Sequence, residues 1–194
     1  LGVGAHLEAW GVPPERITEL DWWESHTLPN AELTITAAPS QHFSGRGLKD
    51  RNATLWSSLV ICSRRHAVFF SGDTGLTTEY AVIRERLGPF DLVMLEVGAF
   101  HPSWGHIHLG PDNALRALEL LGGGAFLPVH WGTFSLAMHA WDEPAEIWAK
   151  DGITTYSYDQ RGFGSSPTRG RWPGTEALVG DAKAMIALLR AQYP

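Results

Sequence analysis

Residues Leu59–Gly75 read LVICSRRHAVFFSGDTG, two apolar runs on either side of a polar turn. Leu59–Cys62 and Ala67–Phe70 flank Ser63–His66, the pattern of a hairpin, and the second run breaks off into Ser71-Gly72-Asp73-Thr74-Gly75. Glycines on both sides of Asp73 let the backbone turn tightly and approach a neighbour closely, while the strand before it fixes where the carboxylate points. Two more apolar runs end in a histidine: Leu33–His42 and Ala125–His130. Three rigid segments would thus deliver His42, Asp73 and His130 to a common point. Imidazole and carboxylate together suit a borderline cation such as zinc, and also manganese or iron.

The rest of the sequence bounds this reading. Its 194 residues suit one domain, or part of a larger one. With 44% hydrophobic and 19% charged residues, it can bury a substantial core. A formal net charge of −6 argues against a nucleic-acid partner. The single cysteine, Cys62, excludes an internal disulfide framework and reads as a small buried hydrophobe inside its apolar run. No apolar run has the length of a transmembrane segment, and no secretory signal is present, so the expectation is a cytoplasmic protein.

Strand and helix signals interleave along the chain. Leu33–Ala37, Thr54–Ile61, Ala67–Ser71, Asp91–Val97, Ala125–Val129 and Ile153–Tyr158 read as strands, with Asp91–Val97 (DLVMLEV) apolar enough to be buried on both faces. Thr77 caps a helix through Leu87, and Pro111 opens another whose stripe is Ala114, Ala117, Leu118 and Leu121. Glu143–Lys150 and Thr175–Gln192 read as further helices, and Thr133–Met138 as a helical turn. Phe43 is expected in the core, and Arg64-Arg65 in a solvated turn. Interleaving of this kind gives an α/β or layered α+β class.

Five segments, in order, carry a resemblance: TAAPSQHFSGRG, FFSGDTG, DLVMLEVGAF, HLGPDNAL and PVHWGTF. As a set they resemble the metallo-β-lactamase superfamily, in the branch of N-acyl-phosphatidylethanolamine phospholipase D and the bacterial lactonase-like hydrolases. The opening LGVGAHLEAWGV and ITELDWWES look like that branch too. The resemblance implies an αββα sandwich and a two-zinc site, with manganese or iron as alternatives. By position, His42 would bind the first metal, Asp73 would bridge the two, and His130 would bind the second. His108 would line the substrate pocket, acting with Asp73 in catalysis, and Trp104 and Trp131 would wall it. The superfamily's upstream His-x-His-x-Asp-His motif is absent; the only His-x-His is His106-Ile107-His108, which reads as a pocket loop. The resemblance therefore implies an incomplete, C-terminal portion of the sandwich over residues 1–162, followed by an extension, a loop plus a helix, over 163–194.

Two functions from different classes follow. One is a metal-dependent hydrolase whose activated water attacks a phosphodiester, or a lactone or amide bond, in a small or lipid-like substrate. Trp10, Trp22, Trp23 and Phe100 are candidates for an apolar groove, and core packing explains them equally. The other is an accessory half that self-associates, or that needs a partner chain supplying the missing N-terminal portion. Glu96, at the end of DLVMLEV, is open between a partner for a ligand histidine and a satisfied buried carboxylate.

Overall fold

The hairpin of Leu59–Gly75 lies at the middle of a six-stranded sheet in the computed structural model of the chain, which describes residues 1–47, 49–104, 106–132, 137–156 and 158–193. After a short helix α1 (Gly4–Ala9), strands β1 (Ser25–Leu28), β2 (Leu33–Ala38), β3 (Ser58–Cys62) and β4 (Ala67–Phe70) pair antiparallel in sequence order. Strands β5 (Leu92–Glu96) and β6 (Ala125–Val129) then add in parallel. Parallel neighbours need crossovers, and helices α2 (Glu79–Leu87) and α3 (Gly110–Leu120) supply them. Thr77 Oγ1 accepts the Glu79 N–H at 3.3 Å, but the N-cap position is Thr78, whose side chain makes no capping hydrogen bond, so the helix starts one residue later than the sequence suggests.

Side chains alternate across a sheet, and this sheet uses its two faces unequally. Val60, Phe69 and Val93 stand in register and are fully buried, packing with Tyr80 and Ile83 of α2 and with Ala114 and Ala117 of α3. Helix α4 (Glu143–Lys150) adds Trp148, whose ring meets Phe126 and whose Nε1–H donates to the Pro111 carbonyl at 3.2 Å. On the opposite face Leu59, Ile61, Val68, Phe70, Leu92 and Met94 are only half-buried, and Leu127 is 44% exposed. The both-faces-buried reading of Asp91–Val97 is thus corrected: β5 alternates, because the helices cover Val93 and Leu95 while Leu92 and Met94 point the other way.

The mixed α/β architecture is the expected one, in an incomplete form: one sheet among the described residues, not two facing sheets. Three local readings change. Residues 153–156 and 158 carry no strand. Phe43 is 39% exposed and stacks flat on His42, so it flanks the site instead of filling the core. Helix α1 forms within the opening LGVGAHLEAW segment, for which the sequence alone suggests no element. Residues 133–136 of the expected helical turn lie outside the described residues.

The chain divides into two units, Leu1–Ile153 and Thr154–Pro194. In the second, Arg161 makes two hydrogen bonds to Asp181 at 3.0 and 2.6 Å, fastening a loop to helix α5 (Thr175–Gln192). Asp159 accepts the Ser165 N–H at 2.7 Å. No helix among the described residues is long and apolar enough to cross a membrane.

In the first unit a buried knot joins the loops after β2 and β4. Thr74 Oγ1 accepts the Gln41 N–H at 3.0 Å and the Tyr80 hydroxyl at 3.3 Å, and that hydroxyl also reaches the Gly75 carbonyl at 3.0 Å. Burial and the nearby Glu96 charge push the Tyr80 phenol strongly upward, with the Thr74 hydrogen bond opposing them, so it stays a neutral donor. Removing a hydroxyl that satisfies buried acceptors costs about 1–3 kcal/mol. Tyr80→Phe is therefore expected to lower the urea-unfolding midpoint by that amount of stability with the far-UV circular dichroism retained; an unchanged midpoint would show the knot to be energetically idle.

Candidate metal centre

Strand direction decides where the functional groups collect. β2 is antiparallel to β3, and β3 to β4, so β2 runs parallel to β4, β5 and β6. The C-terminal ends of four strands thus open on one edge of the sheet, the usual address of ligands in open α/β sheets. His42 follows β2, Asp73 follows β4, Glu96 ends β5 and His130 follows β6.

Gln41 ties these loops together. Its carbonyl accepts the Gly75 N–H at 2.8 Å, and its side-chain amide donates to the His106 carbonyl at 2.9 Å. Gly75 lies so close to His106 that any Cβ would run into the His106 carbonyl, so the Asp73 loop and the His106–His108 loop can meet only at a glycine. Gly98 does the same beside His130 and Trp131, whose backbone a Cβ would strike. His130 itself sits at φ 56°, a left-handed conformation that costs a non-glycine residue about 1–3 kcal/mol and is characteristic of functional sites.

Ligand-type atoms of His42, Asp73 and His108 all lie within 4.8 Å of one another. His130 Nε2 is 3.5 Å from Asp73 Oδ1. Two ligands each about 2.0–2.1 Å from a tetrahedral ion stand roughly 3.3 Å apart, so this spacing, which also suits a direct ion pair, admits a shared cation. His42 Nδ1 is 2.8 Å from the Phe43 carbonyl and fits as its donor, while His42 Nε2 is buried with no hydrogen-bond partner among the described residues. A buried imidazole lone pair without a donor is unfavourable, and a cation is the partner this donor set fits.

The structure brings His42, Asp73, His108 and His130 together. His108 comes closer to Asp73 than a pocket-lining role requires, and joins the same ligand-type group. Its ring stacks on that of His130, centroids 5.5 Å apart, and meets Trp104 at 5.7 Å. Trp131 is half-buried and stacks on Trp141 at 6.0 Å. Glu96 is fully buried; its Oε1 accepts the Leu109 N–H at 2.6 Å and lies 3.2 Å from His108 Nδ1. Beside His108 a cavity of about 190 Å³ is lined by residues that include Phe100, Trp104, Leu109 and Ile147. Trp10, in contrast, is 79% exposed, and Trp22 and Trp23 make structural contacts: Trp22 Nε1 donates to the Trp56 carbonyl, and Arg86 lies over the Trp23 ring.

Comparison with known proteins follows the geometry. The profile of the β-lactamase superfamily domain family matches residues 1–131. A second profile, serine aminopeptidase S33, matches residues 136–194. A protein of Mycobacterium tuberculosis, itself called uncharacterized, is 50% identical over 149 residues, which is 75% of this chain and 39% of the relative. The Caenorhabditis elegans protein named N-acyl-phosphatidylethanolamine-hydrolyzing phospholipase D 1 is 38% identical over 126 residues, 62% of this chain and 35% of the relative. The chain thus spans well under half the length of these curated relatives. Among solved structures, a metallo hydrolase of the archaeon Ignicoccus hospitalis superposes with a TM-score of 0.58 at 23% identity, covering 78% of this chain and 59% of the other. That likeness is one of fold.

The electrostatics of His108 give a pH signature. Burial is the largest influence and pulls its pKa down; the hydrogen bond to Glu96 and the charges of Glu96 and Asp73 oppose burial and prevail, so the net shift is upward from 6.5. A raised folded-state pKa means that the stabilisation is fully present below the unfolded value and is lost as pH rises through the folded value. In the metal-free chain, NMR titration should place His108 above the ordinary histidine range, and urea midpoints should fall as pH passes through that value. Glu96→Gln should remove the upward shift; a His108 that titrates at or below 6.5 would contradict this account.

Proposed function

We propose, since the chain belongs to the metallo-β-lactamase superfamily through residues 1–131, that His42, Asp73 and His130 are metal ligands in a metal-dependent hydrolase, with His108 beside them on the substrate side. The observation that carries the reading is the buried, partnerless Nε2 of His42 in the same cluster as Asp73. When bound, the ion would supply Lewis acidity and make water a nucleophile near neutral pH. Zinc is the metal we favour for this imidazole and carboxylate set, with manganese and iron as alternatives.

The chain's own residues supply the rest. Asp73, 47% exposed at its side chain, is open to solvent and would orient the attacking water. His108, with Nδ1 held at Glu96, can in the imidazolium form that its raised pKa favours donate from Nε2, stabilising charge on the substrate or protonating a leaving oxygen. Phe100, Trp104 and Ile147 give the cavity next to it an apolar wall. We favour a phosphodiester attached to an apolar group as substrate. This draws on that wall and on the relatives named for hydrolysing N-acyl-phosphatidylethanolamine. We assign the reading to residues 1–162, with residues 163–194 as an extension; the ligands named here all lie at or before His130.

A second reading is an accessory half whose centre is completed by another polypeptide. The half-buried sheet face of Leu59, Ile61, Val68, Phe70, Leu92 and Met94 favours it, since an apolar face of that extent calls for a second layer.

Metal analysis of the purified chain by mass spectrometry separates the two. The hydrolase reading expects about one or more zinc ions per chain, with hydrolysis of bis(p-nitrophenyl) phosphate exceeding that of a lactone. Occupancy should fall in His42→Ala and His130→Ala; unchanged occupancy in either removes that residue from the ligand set. Zinc uptake only after a second polypeptide is added would establish the accessory reading instead.

A further inference from the structure

One carboxylate lies beneath two of the site's imidazoles. Glu96 is 0% exposed, and its backbone is fixed by the β5 ladder and by the hydrogen bond from its N–H to Ser71 Oγ at 3.1 Å. Its Oε1 lies 3.2 Å from His108 Nδ1. Among the described residues its Oε2 is buried with no hydrogen-bond partner, and His130 Nδ1 faces it at 3.8 Å. The two rings are nearly parallel, 17° apart, so one carboxylate addresses the same edge of both. The opposite edge of His130 carries Nε2, 3.5 Å from Asp73.

We propose that Glu96 is a positioning residue for His108 and His130 together: one buried carboxylate that takes the Nδ1–H of each ring, fixes both in that tautomer, and leaves both Nε2 lone pairs for the Asp73 side of the site. An unpaired buried carboxylate oxygen is costly, and a small rotation of His130 closes its gap to Oε2. The same three residues also have the spacing of a metal group. Oε1, however, already accepts the Leu109 N–H at 2.6 Å and serves His108, which leaves one oxygen of Glu96 and makes hydrogen bonding the better account. The purpose of the arrangement rests on the proposed metal centre, because a histidine ligand binds through the nitrogen its partner leaves bare. The geometry does not rest on it.

Long-range proton–nitrogen NMR correlation on the ¹⁵N-labelled full chain, with chelator present and at alkaline pH where both rings are neutral, reads the tautomers directly. The expected result is Nδ1–H on both His108 and His130. In Glu96→Gln, whose amide offers one acceptor oxygen in place of two, at least one ring should shift to the Nε2–H form. Zinc affinity should fall about 10- to 100-fold. Nε2–H on either ring of the unsubstituted chain overturns the proposal, so the test stands even where Glu96→Gln fails to fold. Unchanged tautomers in a folded Glu96→Gln overturn it as well. Tautomers that respond in a chain that never takes up zinc uphold the positioning role and sink the metal centre, so the two failures are distinct.

Discussion

Four strands of one sheet point the same way, and the site exists because of it. β2, β4, β5 and β6 each end at the same edge, so the residues that follow each strand are delivered there. His42 and His130 lie 88 positions apart in the chain, yet both sit a few residues beyond a strand end, beside strands that hydrogen bonding holds in register. A sheet is stiff compared with a loop. Groups mounted at its edge keep their spacing through side-chain motion, which is what a ligand set needs.

That edge is consolidated by close backbone contacts and buried polar groups more than by apolar packing. Gly75 and Gly98 permit two approaches that no side chain would allow, one to His106 and one to His130. Gln41, Thr74 and Tyr80 form a continuous hydrogen-bonded link between the loops after β2 and β4. Ser71 serves two strands at once: its carbonyl accepts the Ser58 hydroxyl at 2.8 Å, and its own hydroxyl oxygen accepts the Glu96 N–H. Buried polar networks are favourable only when their members are satisfied. Among the described residues the exceptions at this edge are Ser40 Oγ, His42 Nε2 and Glu96 Oε2, and the last two are atoms at the proposed centre.

The sequence was most legible where one local signal decided the outcome. The run Ala125–Val129, closed by three glycines before it and a histidine after it, marks β6 to the residue. Acidic residues and a proline at its start mark α4 over Glu143–Lys150 in the same way. It was less legible where tertiary context decides. DLVMLEV reads as buried throughout because hydrophobicity alone does not say which face the helices cover. Ile153–Tyr158 has strand-forming residues but no neighbouring strand to pair with among the described residues. For the site, the run-then-histidine pattern singled out His42 and His130 as candidates, and the strand that breaks into Ser71-Gly72-Asp73-Thr74-Gly75 singled out Asp73. The reach of His108 to the Asp73 group, and the grip of Glu96 on His108, depend on a loop folding back over the sheet edge. No spacing in the sequence encodes that.

The unevenly covered sheet also bears on how the stability of this chain is to be understood. One face is closed by α2, α3 and α4; the other presents rows of apolar side chains, among them Phe70, Met94 and Leu127, that retain contact with water. Any layer that settles on that face binds the native chain and not the unfolded one, so mass action adds its binding free energy to the folding free energy. Were such a layer to bind, the melting temperature of this protein would rise with the concentration of that species, identical chain or other.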